Sequence, residues 1–227
     1  MAFENLPSVT RKSTEMIVTD TLRDYLLSGE ISPGERLTEI SLADRLGVAR
    51  STVRMALHRL NSEGIVRQIP YTGWEVASLT GKDVWELWTL RGALESLAAR
   101  LAAARKEPEI RADLTAAHDQ LIAACHANNL PAIIEADFEL HRRILAASGH
   151  QLLAAQYRVV EFQVRLFIAT SNTHIATGPD DIIAQHEPLM NALLDGDAER
   201  AAQEAWLHDE NEGRRLMDWL AGQAAAT

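Results

Sequence analysis

From Ile31 to Val76 the rhythm of hydrophobic and polar positions changes twice, and each change marks a new element. Ile40, Leu42, Ala43 and Leu46 recur at helical spacing behind Thr38, a residue type that caps helix N-termini. Gly47 follows them, where a left-handed helix end is needed. After a tight turn, Val53, Ala56, Leu57 and Leu60 predict a second helix with one inward face, capped by Ser51. Arg50, Arg54 and His58 share its other face, and Gly64 ends it. Ile65 to Ile69 and Trp74 to Ala77 then predict two paired strands, with Tyr71, Thr72 and Gly73 at the tip. Two helices around a tight turn followed by a hairpin make a winged helix-turn-helix, an assembly that places a helix in the major groove of DNA.

Beyond this head the pattern turns helical almost throughout. Ser78 to Lys82 reads as a linker, and Thr80 with Asp83 three residues later resembles a capping box. Helices are predicted near 80–106, 109–128, 131–148, 150–175, 180–195 and 197–222. Pro108 and Pro131 suit a break or a first helical turn, Gly149 and Gly196 suit helix ends, and Asp197 suits an N-cap. The expected fold is mainly α: a winged helix-turn-helix over residues 1–78 and an all-α bundle of six or seven helices over 79–227. No internal repeat is visible, and Ala224 to Thr227 is expected to fray.

The chain has 227 residues, 47 % hydrophobic and 24 % charged, enough for two cores. No apolar run is long enough to span a bilayer, and the first residues lack the apolar segment of a signal peptide, so a cytoplasmic protein with no membrane partner is expected. The single cysteine, Cys125, has no internal partner for a disulfide and is expected to be a buried thiol. A net charge of −10 argues at first against a polyanionic partner. Counting by segment reverses that, because residues 45–67 hold five Arg against the single Glu63. A local basic patch is what phosphate contact requires.

Inside the bundle, Asp137 and His141 lie four residues apart within the apolar stripe of Ile134, Phe138, Ile144 and Leu145, and so point inward. His186 falls on the inner face of its helix, and His208 lies beside Ala201 and Ala205 on the last helix. Burying a carboxylate and imidazoles without partners costs several kcal/mol, about the worth of a lost buried hydrogen bond or more, so compensation is expected. One Asp and three His suit a divalent transition metal with a coordination position left open. A local hydrogen-bonded Asp/His pair explains the same spacing. His118, His126, His150 and His174 have no comparable setting.

The two halves together resemble the GntR family of bacterial transcription regulators, in the branch with an all-helical FCD effector domain. In the head the resemblance rests on PGERL, LADRLGVARSTVR, AL-x-RL, EGIV and the wing Gly73, in that order. In the bundle it rests on Asp137, His141, His186 and His208, which match the branch's metal motif of an Asp, a His four residues on, and two later His. Ala49 stands where the family often has Ser or Thr, and Thr52 where Pro is common.

The resemblance implies a homodimeric repressor that binds a palindromic double-stranded operator and answers to a small carboxylate metabolite. Arg50 and Arg54 are then placed for phosphates or guanine edges, Ser51 for a phosphate oxygen, and Thr72 and Gly73 for wing contact, with Arg36, Arg45 and Arg59 as outlying candidates. The metal is expected to be zinc, with nickel, manganese or iron as alternatives. The effector, an organic or sugar acid, would complete its coordination, with Arg91 or Arg165 taking the second carboxylate oxygen. Arg91 can equally pair with Glu95. Two rival readings are a regulator that senses the metal itself and a metal-dependent enzyme. The enzyme reading is weakened by the lack of a Gly-rich phosphate loop, nucleophile elbow or HExxH motif.

Overall fold

The computed structural model of the protein describes residues 13–27, 31 and 34–225. The expectations for the first residues, for Pro33 of the PGERL motif and for Ala226 and Thr227 lie outside them. The chain divides into two compact units, Met1–Ser78 and Leu79–Thr227.

In the first unit, α1 (Thr14–Leu27) precedes the predicted head and packs on the second of its two helices, burying Val18, Leu22 and Leu26 at i, i+4 spacing. Next come β1 (Arg36–Leu37), α2 (Glu39–Leu46), α3 (Arg50–Ser62), β2 (Val66–Ile69) and β3 (Gly73–Val76). Thr38 caps α2 by accepting from the Ser41 amide at 3.2 Å, and Gly47 closes it at φ 64°. The inward face of α3 is as predicted, with Val53, Ala56, Leu57 and Leu60 fully buried. Two expectations are corrected. Ala49, not Ser51, is the N-cap of α3; its extended backbone starts the helix early, so Ser51 lies inside the first turn. Ile40 is 55 % exposed, because α2 is short enough to bury only Ala43 fully.

The sheet is antiparallel in the order β1-β3-β2. Trp74 lies opposite Leu37 on one side and Gln68 on the other, and Ile69 pairs with Gly73 across the wing tip. At that tip Tyr71 has φ 65° and is fully exposed.

The second unit is a bundle of six helices: α4 (Gly81–Ala103), α5 (Pro108–His126), α6 (Leu130–Ala147), α7 (Gln151–His174), α8 (Pro179–Asp195) and α9 (Ala198–Ala225). The capping box is formed: Thr80 Oγ1 accepts from the Asp83 amide at 3.1 Å, and Asp83 accepts from the Thr80 amide at 2.9 Å. Asp197 accepts from the Arg200 amide at 3.1 Å at the start of α9. That helix continues through Ala224 and Ala225, where fraying is expected from the composition. Cys125 is buried, and burial pushes its thiol pKa up. Among the described residues no helix is long and apolar enough to cross a membrane.

Helices α4 and α9 share the most extensive packing in the bundle, and glycines let them approach. A Cβ on Gly213 would stand 2.3 Å from Trp88 Cδ1, inside van der Waals contact with a buried ring. Trp88 in turn packs edge-on against Trp206 at 5.6 Å. Gly213→Ala therefore trades a helix-propensity gain of about 1 kcal/mol against overpacking of about 1–3 kcal/mol, and the ring has little room to yield. Net destabilisation is expected in urea unfolding. Equal or higher stability would show that the two helices separate at little cost.

Candidate metal centre and nucleic-acid interface

Asp137 and His141 project from α6, His186 from α8 and His208 from α9, and all four are buried. Three of their atoms face one another. His186 Nε2 is 3.3 Å from Asp137 Oδ1, His141 Nε2 is 3.4 Å from the same oxygen, and the two nitrogens are 3.4 Å apart. The His208 ring centroid lies 4.5 Å from that of His186 and 5.2 Å from that of His141. A tetrahedral ion with bonds of about 2.0–2.1 Å holds its ligand atoms roughly 3.3–3.4 Å apart, so three of the four stand at tetrahedral edges.

The outward atoms of these side chains are held by other groups. His186 Nδ1 donates to the Ile182 carbonyl at 2.8 Å, and His208 Nδ1 to the Gln185 carbonyl at 3.3 Å. A carbonyl only accepts, so both rings carry the proton on Nδ1 and leave the Nε2 lone pair to the site. His141 Nδ1 meets Glu95 Oε2 at 2.6 Å, and Asn172 Nδ2 donates to Asp137 Oδ2 at 2.8 Å. Among the described residues, Asp137 Oδ1 and His208 Nε2 have no hydrogen-bond partner. Converging lone pairs in a dry interior repel unless a positive charge stands among them. The donor set therefore fits a divalent cation.

Without a cation among them, a proton on His141 supplies the positive charge instead. Burial opposes an imidazolium at His141, but the Glu95 carboxylate outweighs it and pushes the pKa up to about 10. Burial and the neighbouring imidazoles His186 and His141 drive His208 far below its ordinary range. Burial raises Asp137, but His186 and His141 hold it well below the usual carboxylate value.

Arg91 adjoins this centre and is completely buried. Its Nε lies 2.8 Å from Glu95 Oε1 and 2.9 Å from Asp209 Oδ1, its Nη1 donates to Glu212 Oε2 at 3.0 Å, and its Nη2 stands 2.9 Å from His141 Nε2. Tyr157 Oη donates to Glu95 Oε1 at 2.8 Å. The pairing of Arg91 with Glu95 weighed from the sequence is thus present, within a larger network. Asp209, Tyr157 and Asn172 carry no sequence signal as members of it. Arg165, the other effector candidate, is ion-paired with Glu135 and lies over the Phe138 ring.

A cleft of about 320 Å3 between α8 and α9 reaches His208, with Gln185, Pro188, Glu204, Leu207 and Asn211 along its walls. Of the remaining imidazoles, His150 caps α7, His174 stacks on Trp219, His126 is exposed and His118 is half-buried outside the cluster.

In the head, Arg36, Arg45, Arg50, Ser51, Arg54 and Thr72 are all exposed and Gly73 is half-buried. Arg50 and Arg54 project from α3, both toward Glu39. Arg36 and Arg45 border one cleft with Thr38 and Ser41. Thr72 Oγ1 is spent within the wing turn, donating to the Ile69 carbonyl at 3.3 Å. Arg59 is paired with Glu63 at 3.6 Å.

A helix-turn-helix with a wing, followed along the chain by a helical bundle, is the architecture of a DNA-binding regulator. The chain belongs to the gntR family of bacterial regulatory proteins, whose model matches residues 15–76, and carries an FCD domain over residues 86–211. It is 25 % identical over 203 residues to a probable D-xylose utilization operon transcriptional repressor of Paenarthrobacter nicotinovorans, covering 86 % of this chain and 87 % of that protein. It is 28 % identical over 190 residues to the HTH-type transcriptional repressor GlaR of Escherichia coli, covering 80 % and 86 %. Its fold matches the crystal structure of a putative GntR transcriptional regulator from Rhodococcus sp. RHA1 at a TM-score of 0.77 and 23 % identity, covering 91 % and 99 %. The protein is thus a DNA-binding transcriptional regulator of the GntR family, and its relatives are regulators rather than enzymes.

Proposed function

We infer that the protein is a repressor that binds a palindromic operator as a homodimer in the cytoplasm and changes its DNA affinity when a small organic or sugar acid enters the bundle. One divalent transition metal, zinc by donor set, is held by Asp137, His141, His186 and His208. The observation that carries this reading is the set of three ligand atoms 3.3–3.4 Å apart, with the outward nitrogens and oxygen of their side chains anchored elsewhere. Four protein ligands from a bundle reached by an open cleft leave room for a fifth from an effector, and the cation supplies Lewis acidity toward a carboxylate.

Arg91 has a defined part in this. Its Nη2 stands 2.9 Å from His141 Nε2, and once that nitrogen is committed to a cation the Nη2 hydrogen needs another acceptor. A bound carboxylate supplies one, two charge-assisted contacts being stronger than one. Arg165 can contribute only by leaving Glu135. The exposed Trp85, Leu90 and Leu97 on α4 support a second copy packing there.

The test is fluorescence anisotropy on duplexes from the region upstream of the protein's own gene, at fixed salt, with and without metal and with a panel of sugar acids and dicarboxylates. Fixed salt matters because affinity falls with a log–log slope of about −0.9 per neutralised phosphate. Specific binding that one acid weakens in the metal-loaded protein is the expected result. Affinity that follows metal alone, with no acid effect, would make the metal the signal.

A further inference from the structure

Glu39 begins α2, and three donors from two other elements converge on its carboxylate. Arg54 on α3 donates Nε to Oε1 at 2.9 Å and Nη2 to Oε2 at 2.7 Å. Trp74 on β3 donates Nε1 to Oε1 at 3.4 Å, and Arg50 Nη2 stands 3.8 Å from Oε2. The Glu39 side chain is 16 % exposed and that of Arg54 is 54 % exposed. An ion pair that open to water contributes little to stability, so stability gives weak reason for the arrangement.

Stereochemistry gives a better one. A guanidinium carries five N–H groups in one plane, and its two edges can be used separately. Glu39 occupies the edge formed by Nε and one Nη2 hydrogen. The end edge, formed by Nη1 and the second Nη2 hydrogen, is unspent by this pair. That end edge can give guanine O6 and N7 two parallel hydrogen bonds in the major groove. Phosphates, by contrast, accept from a guanidinium in many orientations. Because the bracing carboxylate is fixed by the first turn of α2 and by buried Trp74, the plane of Arg54 is set before DNA arrives.

We propose that Glu39 is a positioning residue for sequence specificity: it aims the free end of Arg54 at a guanine and keeps that side chain from tracking phosphates. This rests on α3 being the helix that enters the major groove.

The experiment is selection of duplexes from a random pool by the wild-type protein, Glu39→Gln and Arg54→Lys, followed by anisotropy titration at fixed salt. The wild type should enrich a guanine whose replacement weakens binding at least about fivefold, the lower end of what one arginine–guanine pair discriminates. Glu39→Gln and Arg54→Lys should both lose that preference, at the same position and no other. Glu39→Gln, having shed one negative charge from the patch, should bind a scrambled duplex at least as tightly as the wild type does. Retention of the guanine preference in Glu39→Gln would overturn the proposal. So would a loss spread evenly over all positions with weaker scrambled binding, which is what damage to the fold produces. Failure of the wild type to enrich any sequence is a separate result and would remove the major-groove assignment of α3 along with the proposal.

Discussion

His186→Ala is expected to lower the affinity for a divalent transition metal by at least about 100-fold, since even changes to the groups that orient metal ligands cost 10–100-fold. His186 gives the cleanest test because, among the described residues, its hydrogen-bond and ion-pair contacts are the Ile182 carbonyl and the facing atoms of Asp137 and His141. His141 would confound the result, because it also neutralises Glu95 within the Arg91 network. Competition with a chromophoric chelator measures the affinity, and plasma mass spectrometry the metal content per chain. Circular dichroism should show the bundle still folded, since the loss of one imidazole leaves no new buried carboxylate without a partner: Asp137 keeps Asn172. Full occupancy in the variant would exclude these four residues as the metal site, and with it the account of how a carboxylate effector binds.

Much of the fold was legible because its signals are local. Thr38, Gly47, Thr80 with Asp83, Asp197 and Gly196 act within one helical turn of themselves, and each closes or opens a helix where the pattern places it. The inward direction of Asp137, His141 and His186 followed from the apolar neighbours on their own helices. What was missed is either short or distant. Strand β1 is two residues long and exists only by pairing with β3, far along the chain. Helix α1 carried a readable Val18, Leu22, Leu26 stripe, but β-branched and polar residues dilute it. The surroundings of the metal centre were hidden for a different reason. Glu95 and Arg91 share a helix and can be paired on spacing, whereas Glu212 is 121 residues from Arg91 in the chain, and Asn172 lies 35 from Asp137. Periodicity indicates which way a side chain faces, and it is silent on what arrives from another helix.

Arg91→Met should destabilise the bundle by about 3–5 kcal/mol near neutral pH, the cost of removing one partner from a buried charge network. The side chain is wholly buried, and its guanidinium contacts three carboxyl groups, those of Glu95, Asp209 and Glu212. Methionine fills similar volume, so the loss is electrostatic rather than a cavity. The effect should depend on pH in a definite direction. In the wild type, burial disfavours the Glu95 carboxylate, but Arg91 and His141 hold its pKa below the ordinary 4.5, so its contribution is present above that value and fades as pH falls. Burial raises Asp209 and Glu212 against the pull of Arg91. A carboxyl whose folded pKa is raised favours the fold in acid and weakens it as pH climbs through the folded value. Without Arg91 all three carboxyls shift upward, so the deficit relative to the wild type should be largest near pH 7 and shrink toward about pH 5. Urea unfolding of both proteins, stripped of metal by a chelator, at the two pH values decides it. A deficit below about 1 kcal/mol, or one equal at both, would mean that the three carboxylates are neutral in the native protein and that Arg91 packs as a side chain rather than acting as their counter-ion. Arg91→Lys should fall between the two, because one ammonium keeps the charge but has no planar fork to reach Glu95, Asp209 and Glu212 together.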